Sequence, residues 1–129
     1  MAPILHLSIP VRDLGEARGF YVDLLGCRPG RWRDHWGDVW FYGLQLTLHE
    51  RPEQVTSEPG VRHFGVTLPG AELAALLARL QREAVAWARP VETDFAGTPR
   101  EQTKAMVLDP SGNAIELKAY LDPEAAFAD

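Results

Sequence analysis

The chain has 129 residues, of which 46% are hydrophobic and 24% are charged, and its formal net charge is −5. These values are typical of one globular domain with a real core, and an acidic chain without a basic run argues against nucleic acid or an anionic membrane as the main partner. A single cysteine, Cys27, excludes an intrachain disulfide and fits a reducing compartment. Without a signal-like N-terminus or an apolar run near the ~20 residues of a membrane span, we expect a soluble cytoplasmic protein.

The first half of the chain predicts a strand, a helix and three further strands. Asp13 is a suitable N-cap, with Glu16 three residues later as its capping-box partner, and Gly26 marks the end of the helix. The aromatic-rich stretch from Trp32 to Tyr42 is expected in the core or in a dimer interface. The predicted elements are a strand at Ile4–Val11, a helix from Leu14 to Leu24, and strands at Cys27–Trp32, Asp38–Tyr42 and Leu44–Glu50.

After a linker with the composition of a loop, the same order of elements begins again. Leucines at helical spacing predict the helix of this half. The segment Asp-Pro-Ser-Gly-Asn has turn chemistry, since Pro110 presets φ and Gly112 permits a positive φ. The predicted elements are a strand at His63–Leu68, a helix at Ala71–Ala84, a strand at Val85–Thr93, a loop at Asp94–Gln102, and a hairpin that joins Ala105–Leu108 to Ala114–Tyr120.

The two halves are copies of one β-α-β-β-β unit. His6-Leu-Ser-Ile aligns with His63-Phe-Gly-Val, and Gly43–Thr47 aligns with Gly112–Glu116. One such unit is a curved half-sheet that cannot cover its own concave face, so two units are expected to pair. We therefore predict one α+β domain, in which two paired βαβββ modules form a curved, barrel-like mixed sheet around a cleft. Module one spans about residues 3–50, the linker 51–61, module two about 62–121, and an acidic tail 122–129.

The repeat makes His6 and His63 symmetry partners and brings the last strand beside them. On that strand, Glu116 is a carboxylate flanked by Ile115 and Leu117, which alternation places on the opposite face. Two imidazoles and one carboxylate are the ligand set of the non-haem Fe(II) facial triad, and the set also suits Mn, Zn, Ni or Co. A lone strand histidine is more often structural than a ligand. Three candidates at repeat-related inward positions nevertheless favour a metal cleft with His6, His63 and Glu116 as ligands.

Several motifs follow one another along the chain. They are His6-Leu-Ser-Ile-Pro-Val-Arg-Asp-Leu, then His63-Phe-Gly-Val, then Leu108-Asp-Pro-Ser-Gly-Asn with Glu116-Leu. Together they resemble the vicinal oxygen chelate superfamily of glyoxalase I, extradiol dioxygenases and bleomycin-resistance proteins, and most of all a bacterial group described as predicted extradiol-type dioxygenases. The resemblance implies that His6, His63 and Glu116 bind Fe(II). It also implies a homodimer, whose modules pair within one chain or across the dimer.

Three positions depart from the patterns of these families. Met106 stands where extradiol enzymes carry a tyrosine, and Leu44 where the bacterial group often has a histidine. Thr47 stands where glyoxalase I adds an acidic ligand, for which a hydroxyl is a poor substitute. The first hypothesis is a ring-cleaving dioxygenase-like oxidoreductase that acts on a small catechol-type substrate. The alternatives are a metal-dependent lyase, isomerase or thiol transferase, and a non-enzymatic drug-binding resistance protein, which would not need all three ligands.

Strand parity selects further candidates for the same cleft. His49 shares a face with Gln45 and Thr47 and can act as an acid or base, although a strand-end histidine near water is equally consistent. Lys118 shares the face of Glu116 and can neutralise an anionic substrate, or can lie at the rim with its charge in water. We predict catalytic roles for His49 and Lys118, and a substrate pocket that includes Gln45, Thr47, Met106 and Arg100, the last from a loop that can serve as a lid.

Overall fold

The structure is a computed structural model and describes residues 1–128. In the first half, the elements are β1 (His6–Val11), α1 (Leu14–Arg18, continued by a π-helix at Gly19–Leu24), β2 (Arg28–Trp32), β3 (Trp36–Phe41) and β4 (Leu44–Glu50). In the second half, they are β5 (Phe64–Thr67), α2 (Gly70–Gln81), β6 (Ala86–Asp94), β7 (Gln102–Leu108) and β8 (Ala114–Tyr120). Short 3-10 turns occur at Pro52–Gln54 and at Pro123–Phe127 in the predicted tail, whose last residue, Asp129, lies outside the described residues.

The strands form two four-stranded mixed sheets, one from each half of the chain. The strand order is β1-β4-β3-β2 in the first sheet and β5-β8-β7-β6 in the second. In both sheets the first strand of the half runs parallel to its last strand, and the other neighbours are antiparallel. The predicted fold class, α+β with two βαβββ modules, is therefore confirmed. No helix among residues 1–128 is long and apolar enough to cross a membrane.

The chain divides into two compact units. Unit 1 comprises residues 1–59 together with 109–113, and unit 2 comprises the other described residues. The tip of the last hairpin thus belongs with the first half, whereas the repeat alone assigns it to the second. The amide of Asn113 donates to the carbonyl oxygen of Pro10 at 2.9 Å, and the backbone N–H of Arg12 donates to the Ser111 hydroxyl at 2.9 Å.

The parallel strand pairs have the same register in both units. Ser8 lies opposite Thr47 in the first sheet, and Gly65 lies opposite Glu116 in the second. In the aligned repeats Ser8 corresponds to Gly65 and Thr47 to Glu116. The hydrogen-bonded register therefore confirms the repeat that the sequence predicts.

Each sheet buries one face in its own core. In β8, Ile115 and Leu117 are fully buried, while Glu116 and Lys118 are half-buried, as the predicted alternation requires. In unit 1 the fully buried strand residues include Val39, Leu46 and Leu48. The predicted leucine stripe of α2 is buried as well, and it consists of Leu73, Leu76, Leu77 and Leu80.

The start of α1 confirms one part of the predicted capping box and contradicts the other. The carboxylate of Asp13 accepts a hydrogen bond from the backbone N–H of Glu16 at 2.7 Å, as expected of an N-cap. The Glu16 carboxylate, however, binds the Arg12 guanidinium through two bonds of 2.8 and 2.6 Å. A guanidinium offers two parallel charged donors, which a carboxylate prefers to a single backbone N–H. Gly26 has φ of 80° and ends the helical segment as predicted.

Candidate metal centre

His63 and Glu116 face each other in unit 2. The Nε2 atom of His63 lies 3.5 Å from a carboxylate oxygen of Glu116, and the two side chains are 40% and 22% exposed. The Nδ1 atom of His63 is 2.8 Å from the carbonyl oxygen of Val61. Because a carbonyl can only accept, Nδ1 carries the proton in the neutral ring, and the Nε2 atom near the carboxylate is then unprotonated. β5 begins at Phe64, so His63 lies just before the strand and not within it as predicted.

The His63–Glu116 distance fits two neighbouring ligands of one ion. Bonds from a divalent metal to imidazole nitrogen and carboxylate oxygen are about 2.1 Å long, so two such ligands lie about 3.0 Å apart at an octahedral angle and about 3.4 Å apart at a tetrahedral angle. The bond from Nδ1 to a backbone carbonyl is the contact that orients metal-binding histidines. Among the described residues, no group of three or more His, Cys, Asp or Glu side chains that could hold a metal occurs, so the pair is what unit 2 offers.

His6, in unit 1, also places its Nδ1 against a backbone carbonyl. Its Nδ1 lies 3.1 Å from the carbonyl oxygen of Gln45, and its Nε2 lies 3.3 Å from the hydroxyl of Ser8. The ring is exposed, and in the neutral tautomer set by the carbonyl its Nε2 accepts a hydrogen bond from the Ser8 hydroxyl, which a metal ion would have to displace. The two histidines that the repeat aligns therefore both place Nδ1 against a backbone carbonyl, but the carbonyls lie at positions that the repeat does not equate.

A cavity of about 260 Å³ lies in front of His63 and Glu116 and is also lined by Thr67 and Lys118. The ammonium of Lys118 is 3.6 Å from the Glu116 carboxylate. Lys104, directly opposite Lys118, binds Asp94 at 2.7 Å, and this hydrogen bond, helped by the charges of Asp94 and Glu116, raises the pKa of Lys104.

Met106 and Arg100 occupy different surroundings. Met106 lies directly opposite Glu116 across the β7–β8 pair, which places both side chains on one face. Arg100 is exposed in a turn whose backbone N–H groups at Gly97 and Arg100 donate to Glu101 and Thr98 at 2.9 and 3.2 Å. The predicted lid is thus a loop with internal hydrogen bonds.

Gln45 and Thr47 surround a buried carboxylate that the sequence analysis missed. Asp38, on β3, is 1% exposed and accepts hydrogen bonds of 2.7 Å from both the Thr47 hydroxyl and the Arg31 Nε. The amide nitrogen of Gln45 lies 3.4 Å away. Burial alone raises the pKa of Asp38, but the bonds from Arg31 and Thr47 outweigh it and the pKa is lowered.

The available signal for Asp38 was strand parity. Asp38 shares its strand face with Trp36 and Trp40, and β3 begins at Trp36, before the predicted start. Alternation along this longer strand places Asp38 opposite Thr47 and on its face. In a strand that begins at Asp38, as predicted from the sequence, the residue is the strand end, where burial is not expected.

His49 lies on the same face as Gln45 but at the other end of β4. Four residues separate them, which is about 13 Å along a strand, and Gln45 is the residue opposite His6. His49 lines a different cavity of about 260 Å³ with Ser8, Pro10 and Arg51. The prediction that His49 shares a face with Gln45 is therefore correct. His49 nevertheless lies at the opposite end of β4 from Gln45, the residue that pairs with His6.

Residues 3–117 match the model of the Glyoxalase/Bleomycin resistance protein/Dioxygenase superfamily. The chain belongs to this superfamily. A glyoxalase/bleomycin resistance protein/dioxygenase from Alicyclobacillus acidocaldarius is 31% identical, with a TM-score of 0.83 and 95% of both chains covered. The superfamily includes enzymes, and its members share the two-module fold described above.

Two more distant solved structures support the fold alone. The fosfomycin resistance protein FosX from Listeria monocytogenes is 16% identical, with a TM-score of 0.76 and coverage of 92% of this chain and 93% of that one. A mutant of the same FosX, 14% identical with a TM-score of 0.73 and 91% of both chains covered, was solved with Mn(II) and 1S,2S-dihydroxypropylphosphonic acid. No curated protein matches the chain.

Proposed function

We propose that this protein is a metal-dependent enzyme in which His6, His63 and Glu116 hold one divalent ion, and that its substrate binds through two adjacent oxygen atoms. The supporting observation is the His63–Glu116 pair at 3.5 Å, together with two repeat-related histidines whose Nδ1 atoms both face a backbone carbonyl. Three protein ligands leave open positions for substrate oxygens and for O2 or water. Fe(II) is the metal that we propose. Mn(II), which a FosX relative contains, is the first alternative, followed by Zn, Ni and Co.

The first reaction that we propose is ring cleavage of a small catechol-type substrate, in the manner of the extradiol-type group. Both atoms of O2 would enter the ring-opened product, so no separate reductant is needed. A bound Fe(II) would supply Lewis acidity and electron transfer. Lys118, 3.6 Å from Glu116, would offset the negative charge of an ionised diol and can hold a proton. The thioether of Met106 carries no proton. Lys118 would therefore supply the proton-carrying group for which extradiol enzymes have a tyrosine at the position of Met106.

A second candidate is a reaction without O2, in which the metal acts only as a Lewis acid, as in a lyase, an isomerase or a thiol transferase. The thioether of Met106 opposite Glu116 favours this candidate, because the position lacks the acidic hydroxyl of the ring-cleaving enzymes. The fold shared with FosX is consistent with it.

We further propose that the working unit is a homodimer. Apolar side chains next to the histidine ligands are exposed, with Leu5 at 74% and Val61 at 92%. Large exposed apolar side chains beside a functional site are typical of surfaces that pack against another chain.

Metal analysis of protein purified without oxygen, followed by oxygen uptake with a panel of catechols, tests the proposal. We expect bound iron and catechol-dependent uptake, with metal lost from His6→Ala and Glu116→Gln but retained by His35→Ala, which removes an exposed histidine of unit 1. Bound metal without uptake supports the second candidate. If wild type and His6→Ala are equally free of metal, both enzyme proposals fail and a ligand-binding resistance protein is the remaining hypothesis.

A mixture of two inactive variants tests how the modules pair. If a site takes His6 from one chain and Glu116 from the other, a dimer of His6→Ala with Glu116→Gln contains one intact site. An equal mixture of refolded chains should then recover about a quarter of wild-type activity, because about half of the dimers are mixed and each has one of its two sites intact. Pairing within one chain predicts no recovery.

A further inference from the structure

The first sheet has a cationic edge. β2 is an edge strand and carries Arg28 and Arg31, and Arg33 follows it directly. The guanidinium groups of Arg31 and Arg33 lie over the ring of Trp36 at 5.0 and 5.8 Å, and that of Arg28 lies over Trp40 at 5.6 Å. Stacking of this kind stabilises an arginine without using its hydrogen-bond donors.

Arg31 differs from its neighbours because a buried carboxylate holds it. Its Nε donates to Asp38 at 2.7 Å, and Asp38 is almost fully buried while the Arg31 side chain is 58% exposed. The bond at Nε and the ring of Trp36 fix the guanidinium in place. The N–H groups of its two terminal nitrogens remain as a pair of parallel donors. Paired donors in a fixed plane are the geometry that binds an oxyanion, and an arginine that is already ordered loses little entropy on binding.

Hydrogen bonds connect Arg31 to His6 along one face of the sheet. Asp38 contacts the side chain of Gln45, and the backbone carbonyl of Gln45 faces His6 Nδ1. His6 lies on β1 and Asp38 on β3, with β4 between them and an offset of two residues in register, so about 12 Å separates their backbones. A small molecule with one ring and a short acidic side chain spans such a distance.

The charges around Arg31 leave a positive excess. Asp38 offsets one arginine and the exposed Asp34 offsets another, while Arg28, Arg31 and Arg33 together supply three positive charges. An anion that approaches this edge is therefore attracted even though Arg31 is already paired.

We propose that Arg31 anchors an oxyanion of the substrate, a carboxylate or a phosphonate, at the end opposite the oxygens bound near His6. The substrate class is then a small vicinal-oxygen compound with an acidic group, such as a catechol with a carboxylate side chain. The identity of the chelating end rests on the proposed function, whereas the anion site rests on Arg31, Asp38 and Trp36 alone.

Binding of benzoate and of phenylphosphonate to the protein as purified, followed by tryptophan fluorescence and calorimetry, tests the anion site without turnover. Arg31→Gln should weaken binding by at least about tenfold, the ratio expected for one lost charge-assisted pair. Arg33→Gln, which removes the same charge over the same ring, should change it by less than about twofold. Equal weakening by both variants, or no binding to wild type, overturns the proposal. The tighter of the two probes identifies the anion.

Turnover supplies a second test that separates the two proposals. Arg31→Gln should lower kcat/KM about tenfold for carboxylated catechols and leave uncharged catechol unchanged. An equal loss for both substrates overturns the anion site. If no catechol is turned over but benzoate binding still depends on Arg31, the proposed reaction fails and the anion site stands.

Discussion

Replacing Asp38 by asparagine tests the buried network of unit 1. Two donors bind different oxygens of this carboxylate, Arg31 Nε and the Thr47 hydroxyl, each at 2.7 Å. Asparagine has the same shape but only one oxygen. Whichever way its amide is turned, the NH2 group faces one of the two donors.

The cost follows from the least unfavourable orientation of that amide. If the amide oxygen stays with Arg31, the NH2 group turns to Thr47 and can donate to its hydroxyl oxygen, but the buried hydroxyl proton then loses its acceptor at a cost of about 1.5 kcal/mol. Because Arg31 is 58% exposed, solvent screens the lost charge pair, which adds only about 0.5 kcal/mol. We expect a loss of about 2 kcal/mol in the free energy of unfolding, or about 8 °C in Tm for a chain of this size.

The stability difference between wild type and Asp38→Asn should depend on pH. The pKa of Asp38 is lowered in the folded protein, so its stabilising contribution is present above the unfolded carboxyl pKa of about 3.9 and is lost as the pH falls through the folded value. The deficit of Asp38→Asn should therefore be complete at pH 7 and should shrink below about pH 4.

Urea unfolding followed by tryptophan fluorescence at a series of pH values measures the difference. The control is Asp34→Asn, which neutralises an exposed carboxylate in the neighbouring loop and should change stability by less than about 0.5 kcal/mol. A variant as stable as wild type at pH 7, or a deficit that stays constant down to pH 3, would refute the assigned hydrogen bonds.

Two glycines give further predictions. A Cβ at residue 65 would collide with the backbone carbonyl oxygen of Glu116. Gly65→Ala should therefore lower metal affinity by at least about tenfold in a chelator titration, and Gly70→Ala, where a Cβ meets nothing, should leave it unchanged. Gly112 has φ of 91°, and a Cβ there would strike the backbone of the linker. We expect Gly112→Ala to lower the free energy of unfolding by about 3 kcal/mol, as measured by thermal unfolding. Gly43 has φ of 88°, and a Cβ there meets nothing, so Gly43→Ala should lower the free energy of unfolding by only about 1 kcal/mol. Equal losses in the two variants would exclude a collision between the new Cβ at residue 112 and the linker.

The sequence was sufficient to predict the strand that carries Glu116. Alternation with a period of two placed Ile115 and Leu117 in the core and Glu116 on the other face, and the structure agrees. The boundaries of β8 and of β4 are the predicted ones, because turn residues on either side define these strands locally. The aligned repeat also predicted the register of the parallel pairs, since a slip by one residue would turn the core side chains of a strand outward.

Partners of charged side chains could not be predicted in the same way. Glu16 was expected to complete a capping box and instead binds Arg12, and Asp38 was not recognised as buried. The partner of a carboxylate depends on which donor the folded chain brings within about 3 Å, and period and turn chemistry do not contain that information. For the same reason, the association of the hairpin tip with unit 1, through Asn113 and Ser111, is visible only in the structure.

The two units carry their acidic side chain on different middle strands. Asp38 lies opposite Thr47 in the first sheet, and Met106 lies opposite Glu116 in the second. Since the repeat equates Thr47 with Glu116, it also equates Asp38 with Met106, so the acid has moved from the third strand of the unit to the fourth.

This exchange decides which acid can bind a metal. The oxygens of Asp38 accept two bonds of 2.7 Å and are almost fully buried. The two polar side chains beside Glu116, His63 and Lys118, are 3.5 and 3.6 Å away, beyond a strong hydrogen bond, and a cavity lies in front of the carboxylate. The thioether of Met106 offers no donor to the acid opposite it, whereas Thr47 offers one to Asp38. A carboxylate whose oxygens are already bonded would have to lose those bonds to ligate an ion. Glu116 has no such short bonds to lose, and for that reason we propose Glu116, and not Asp38, as the metal ligand.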